Sequence, residues 1–138
     1  MCGIVGYCGP KPAADVLLEG LKRLEYRGYD SAGVCIGDEK DLQIFKCTGK
    51  VRELREIVPE DIGGLYGIGH TRWATHGGVT ESNAHPHSDD QQRVVVVHNG
   101  IIENYQALKN KLVSDGHTFQ SETDTEVIAQ LIAVMYKG

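Results

Sequence analysis

Met1-Cys2-Gly3-Ile4-Val5-Gly6-Tyr7-Cys8-Gly9-Pro10 opens the chain and decides how the rest is read. Gly3 to Cys8 reads as a buried strand, and Gly9-Pro10 closes it as a turn. The cysteine in front of that strand is one cleavage away from being the N-terminal residue. With Met1 removed, Cys2 carries a thiol and a free α-amine a few bonds apart. The thiolate is the nucleophilic form of cysteine, and an α-amine that titrates just above neutral pH can accept a proton. Nucleophile and base then sit in one residue. A cysteine in second place means little by itself, so its meaning rests on the residues that could surround it.

Downstream of the turn the period changes. Ala14, Leu17, Leu18, Leu21 and Leu24 recur at helical spacing, with Asp15, Glu19, Lys22 and Arg23 on the opposite face. Gly28 ends this helix. Ser31 to Ile36 and Leu42 to Cys47 read as strands joined by the polar hairpin loop 37–41. Val51 to Ile57 reads as a short helix stopped by Pro59, and Tyr66 to Thr71 as a strand with alternating glycines. Ala74 to Gln92 is a long polar loop, a length that is usually functional or disordered. Arg93 to His98 reads as a second buried strand, with Val94 to Val97 as its body. A helix over Asn104 to Asp115 comes next, with Tyr105, Leu108 and Leu112 on its core side. Thr118 to Gln120 reads as a short strand. The last helix runs from about Asp124 to Tyr136, its apolar face being Val127, Ile128, Leu131, Ile132 and Met135. So many strands between amphipathic helices predict a layered α/β protein, with helices packed on sheets.

The 138 residues suffice for a domain with a real core. An apolar fraction of 41% and a charged fraction of 24% describe an ordinary globular chain. A net charge of −5 argues against a nucleic-acid binder that tracks phosphates. No apolar run approaches the length of a membrane span, and no signal peptide is visible, so a cytoplasmic location is expected. The four cysteines, Cys2, Cys8, Cys35 and Cys47, form no C-x-x-C pair. In a reducing compartment Cys8, Cys35 and Cys47 read as small hydrophobes.

Three polar clusters stand at predicted strand or helix ends: Arg27 to Ser31, His70 to Gly77, and His98-Asn99-Gly100. Amide hydrolysis by Cys2 puts negative charge on the substrate carbonyl oxygen, which needs donors already aimed at it. The Asn99 amide beside the Gly100 N–H offers two. Asn99-Gly100 is equally a strong hairpin signal, although the residues after it turn helical. An amino-acid substrate also carries a carboxylate, which a planar guanidinium binds in bidentate fashion, and Arg72 is the candidate. Arg72 in a surface ion pair is the competing reading. Asp124 is the candidate for the substrate ammonium. It also fits as a residue that merely favours a helix start within the capping box Thr123-x-x-Glu126. His85-Pro86-His87 and the other histidines raise the question of a metal. Zinc spacings and H-E-x-x-H are missing, so no metal or organic cofactor is expected.

Five stretches together resemble the class II glutamine amidotransferases, which are N-terminal-nucleophile hydrolases. They are Met1 to Gly6, Leu24 to Gly33, His70 to Gly77, His98 to Asn104 and Ser121 to Glu126. They come in the family's order, cover nearly the whole chain, and are most similar to its glucosamine-6-phosphate synthase branch. The resemblance implies an αββα sandwich. It implies that Cys2 attacks the side-chain amide of L-glutamine, that Asn99 and Gly100 form the oxyanion hole, and that Arg72 and Asp124 hold the α-carboxylate and α-amine. It further implies that Thr75, His76 and Gly77 line the same pocket and that Trp73 takes part in closure and the ammonia path. Arg27 would lie near the nucleophile, and His85 would position the site.

By the same resemblance, residues 1–138 are the N-terminal part of a glutaminase domain. The later strands of the sandwich and a pair of sugar isomerase domains that bind fructose 6-phosphate lie outside it. In the parent reaction the glutamine nitrogen passes to fructose 6-phosphate, giving glucosamine 6-phosphate. Two other readings stand beside this one: a fragment that binds glutamine without turning it over, and a glutaminase domain that serves a different acceptor. Unpaired strand edges predict self-association into a homo-oligomer.

Overall fold

The computed structural model describes residues 1–74 and 77–136. The elements are β1 (Gly3–Cys8), α1 (Ala13–Leu24), β2 (Ser31–Gly37), β3 (Leu42–Thr48), α2 (Val51–Ile57), β4 (Tyr66–Arg72), β5 (His87–Ser88), β6 (Val95–Val96), α3 (Tyr105–Ser114) and α4 (Glu126–Met135). A single 3-10 turn, Glu25–Arg27, extends α1. Strands β1, β4, β2 and β3 form one antiparallel sheet in that order, and β5 pairs with β6 in a second.

One face of the large sheet carries the core. Leu17, Leu18 and Leu21 of α1 and Val51 and Leu54 of α2 pack on Ala32, Val34 and Ile36 of β2, with Val5 and Tyr7 of β1 at the margin. Burying a leucine fully contributes about 1.5–3 kcal/mol, so this cluster dominates the stability of the sheet. The alternating glycines of β4 allow the helix to lie close. A Cβ on Gly69 would stand 3.0 Å from Leu21 Cδ1, and one on Gly67 would stand 2.8 Å from Leu17 Cδ1.

The other face receives the second sheet. A Cβ on Gly33 would fall 2.1 Å from the His85 carbonyl oxygen, so only glycine lets that loop rest on β2. Beyond β5 and β6 lie α4 and α3. The layers therefore run α, β, β, α, a mixed α/β arrangement with antiparallel sheets.

Several expectations change. Strand β1 is not buried on both faces: it is an edge strand whose Ile4, Gly6 and Cys8 are exposed while Val5 and Tyr7 point to α1. Cys8 is accordingly an exposed thiol rather than a core hydrophobe. The valine strand expected over Arg93–His98 is paired only at Val95–Val96, and Val94 to Val97 are half-buried, because β5 offers it just two residues of ladder. No strand forms at Thr118–Gln120.

The long loop is ordered in its described part, and its centre, Asn83 to His87, is buried. Helix α4 turns a different face inward than its apolar pattern predicts. Glu126, Val127, Ala129, Gln130 and Ala133 are buried, while Met135 is 76% exposed. The cause is polar. Glu126 accepts from Gln120 N at 2.8 Å, Ser121 N at 2.7 Å and Ser121 Oγ at 2.6 Å, and Gln130 Nε2 donates to the Thr118 carbonyl at 2.9 Å. Satisfying that strandless backbone outweighs the apolar stripe. The same bonds undo the expected capping box: Thr125 is the N-cap residue, and Glu126 faces backward rather than capping Thr123.

Candidate active site

The β1–β4 register pairs Gly3 with Thr71, which sets Cys2 opposite Arg72 at the open end of the ladder. The β2–β4 register pairs Ser31 with Arg72 and fixes the same end from the other side. Along β4, Gly67 and Gly69 face α1, so Ile68, His70 and Arg72 take the face toward the second sheet. Cys2 Sγ accepts a hydrogen bond from the Trp73 backbone N–H at 3.2 Å. Arg72 is only 3% exposed, so it is no surface ion pair; its Nη1 donates to the Gly78 carbonyl at 3.1 Å.

The stretch after α1 supports that strand end. Asp30 N donates to the Arg72 carbonyl at 3.2 Å, Asp30 Oδ2 accepts from Ala74 N, and Tyr29 meets Trp73 edge to face at 5.7 Å. The first polar cluster thus serves as scaffolding for residues 72–74.

Asn99-Gly100 does not form a hairpin; the chain continues through Ile101 and Ile102 into α3. Asn99 Nδ2 donates to the Cys2 carbonyl at 3.2 Å, and its Oδ1 lies 2.7 Å from His70 Nε2. Asp124 is buried just before α4, and its Oδ2 accepts from Ile102 N at 2.6 Å. This bond ties the segment after Asn99 to the start of the last helix.

These groups converge. A cavity of about 310 Å³ is lined by Met1, Cys2, Arg27, Arg72, Trp73, His85, His98, Asn99, Gly100, Ile101, Thr123, Asp124 and Thr125. All the expected catalytic and supporting residues, Cys2, Asn99, Gly100, Arg27 and His85, are among them, as are Arg72, Trp73 and Asp124. Arg27 Nη2 donates to Met1 Sδ at 3.8 Å, next to Cys2. Gly77 is not on the wall; it packs against Asn83 and Glu122, where a Cβ would lie 2.7 Å from Asn83 Nδ2. Thr75 and His76 lie outside the described residues.

Behind the cavity three histidines lie buried. His85 stacks on His70 with ring centroids 4.1 Å apart, and His87 meets His85 edge-on at 4.6 Å. Burial is the main force on all three. It pushes His70 down to about 4 against a partly compensating bond to Asn99, and His87 down to about 3 with help from Lys46. His85, flanked by the other two, is driven lower still. All three are neutral near pH 7. Stacked rings present faces rather than converging lone pairs, and among the described residues no group of His, Cys, Asp and Glu is arranged to hold a metal ion.

Some of the machinery escapes a sequence reading. The Asn83 amide donates to Gly78 O at 3.0 Å and to Glu122 Oε2 at 2.8 Å, while its oxygen accepts from Glu122 N at 2.8 Å. It thereby joins the loop that holds Arg72 to the segment that holds Asp124. His70 has a legible signal: it stands two residues before Arg72, and in a strand that spacing puts both on one face.

Residues 60–137 match a family model described as the glutamine amidotransferase domain. The chain belongs to this family. It is 55% identical to the glutamine–fructose-6-phosphate aminotransferase (isomerizing) of Thermus thermophilus, over 100% of this chain and 23% of that protein. It is 59% identical to the enzyme of the same name from Pyrococcus horikoshii, over 96% of this chain and 22% of that one. The chain thus spans under a quarter of the length of these curated relatives.

Among solved structures, the glutamine phosphoribosylpyrophosphate amidotransferase from B. subtilis superposes with a TM-score of 0.80 at 30% identity, over 96% of this chain and 29% of that one. A second, titled as the allosteric regulatory enzyme of purine biosynthesis, gives 0.80 at 32% identity, over 96% and 29%. The fold is accordingly that of the N-terminal-nucleophile amidotransferases. Among the described residues no helix of this glutamine amidotransferase domain is long and apolar enough to cross a membrane.

Proposed function

We propose that this chain is the N-terminal part of a glutaminase domain that hydrolyses L-glutamine through Cys2. The convergence of Cys2, Arg72, Asn99, Gly100 and Asp124 on one cavity carries the reading. With Met1 removed, the Cys2 α-amine takes the thiol proton and Sγ adds to the side-chain amide carbon. The oxyanion is held by Asn99 Nδ2 and Gly100 N–H. The C–N bond then breaks, the amine hands its proton to the departing nitrogen, and ammonia leaves a thioester behind. Water, deprotonated by the same amine, adds to the thioester. The C–S bond breaks, and glutamate and the free thiol are released. Arg72 binds the substrate carboxylate and Asp124 its ammonium, with Trp73 on the wall of the same cavity.

The high identity to aminotransferases named for fructose 6-phosphate supports a finer reading. In the parent protein, sugar isomerase domains outside these residues receive the ammonia and make glucosamine 6-phosphate. The cytosol is the matching compartment. The edge strands β1 and β3 offer the means for self-association.

The test is glutamate release from glutamine by chain that starts at Cys2, beside chain that keeps Met1, each verified by intact mass. Release by the first alone is expected. Hydrolysis by the Met1-retaining chain sinks the role of the amine, and hydrolysis by Cys2→Ala sinks that of the thiol.

A further inference from the structure

The Asn99 side chain has two ends, and only one of them can donate to an oxyanion. Its Nδ2 faces the Cys2 carbonyl oxygen at 3.2 Å. A carbonyl oxygen only accepts, so the nitrogen is the end that belongs there. The other end, Oδ1, lies 2.7 Å from His70 Nε2. An amide oxygen also only accepts, so Nε2 must carry the proton. His70 is 1% exposed, and burial keeps its ring neutral at working pH. Its Nδ1 is then bare. The His98 backbone is close enough to act on the ring, but Nδ1 makes no hydrogen bond. His85, stacked within 16° of parallel, covers the ring face. A tightly packed neutral imidazole therefore directs its one N–H at the Asn99 oxygen.

We propose that His70 is the positioning residue that keeps the Asn99 amide turned with Nδ2 toward the reacting carbon. The proposal rests on the glutaminase reading above. An amide turned over has almost the same shape, so packing alone does not choose between its two orientations. Turned over, it would point lone pairs at the developing oxyanion and lose the donor. The Nε2–H of His70 makes that state unfavourable, because the inverted amide would bring N–H against N–H. His70 is not among the residues that line the cavity and reaches it through Asn99.

Two measurements test this. In chain that starts at Cys2, His70→Ala is expected to lower kcat for glutamine hydrolysis roughly ten-fold or more. The loss should not exceed that of Asn99→Ala, roughly 10²–10³, and KM should hold. His70→Gln, whose amide nitrogen reaches about as far as Nε2, restores most of the rate, whereas the shorter His70→Asn does not. His70→Ala adds nothing in an Asn99→Ala background. Full activity in both His70→Ala and His70→Asn, or losses that add to that of Asn99→Ala, overturns the proposal.

The second measurement needs no turnover. In the ¹⁵N-labelled chain, the His70 ring is expected to show a protonated Nε2 and a bare Nδ1 from pH 6 to 8, and the Nε2–H resonance is expected to shift in Asn99→Ala. A ring protonated on Nδ1 overturns the proposal. A wild-type chain with no hydrolysis at all counts against the glutaminase reading, and the ring spectrum then decides the His70–Asn99 pairing by itself.

Discussion

The Trp73 backbone N–H donates to Cys2 Sγ at 3.2 Å, so the sulfur is held by the peptide directly after Arg72. Cys2 and Arg72 thus stand opposite each other at the end of one antiparallel ladder.

Alkylation should separate the four thiols. Burial pushes Cys35 up to about 11, with Asp41 adding to it, and Cys47 up to about 11, with Glu53 adding to it. At pH 8 only about one molecule in a thousand of either carries a thiolate. Exposed Cys8 and cavity-lining Cys2 are expected to react with iodoacetamide first, read by peptide mass mapping. Labelling of Cys35 ahead of Cys2 would contradict this order.

Arg72→Ala is expected to raise KM for glutamine while leaving kcat nearly unchanged, because the carboxylate contact exists in ground and transition states alike. Arg72→Lys should not restore KM, since a point charge does not reproduce the planar fork. Asp124→Asn keeps an oxygen for Ile102 N but loses the charge, and it should also act on KM. An unchanged KM in Arg72→Ala would remove the clamp assignment.

Glu126 is 2% exposed and its carboxylate satisfies two backbone N–H groups and a hydroxyl. Glu126→Ala should destabilise the fold by roughly 2–4 kcal/mol through those orphaned donors. Glu126→Gln, which keeps one oxygen, should cost less. Urea unfolding at pH 7 measures both.

Acid should weaken the fold before it protonates ordinary carboxylates. The unfolded histidines bind protons near pH 6.5, whereas His70 and His87 resist until about 4 and about 3, and His85 resists further. The unfolded state therefore holds more protons, and stability falls as the pH drops below about 6.5. Three such groups give a slope approaching about 4 kcal/mol per pH unit around pH 5. Urea midpoints at pH 7, 6 and 5 test this, and a flat profile would show that the rings are not buried neutral.

Much of the fold and site is legible in the sequence. Helix α1 announces itself through Leu17, Leu18 and Leu21 against Asp15 and Glu19, because a one-sided core imposes the helical period. The family motifs bring Cys2, Arg72, Asn99 and Asp124 into view before any contact between them is visible. The inward face of α4 is not legible. There the buried partners of Glu126 and Gln130 are backbone groups of residues 118–121, and backbone polarity leaves no trace in composition. Nor is the brevity of β6, since four valines in a row look alike whether their ladder is two residues long or six. The bridge from Asn83 to Glu122 spans two loops, and no local spacing encodes a bond between them.

The pairing of β1 with β4 ties stability to chemistry. Side chains alternate along a strand, so a slip of one residue would turn Val5 and Tyr7 away from α1. The same slip would set Gly3, not Cys2, opposite Arg72. Misfolding at this edge and displacement of Cys2 from the cavity are a single event. Such a chain would carry no half-formed site, and any selection that keeps Leu17 and Leu21 covered also keeps the sulfur in place.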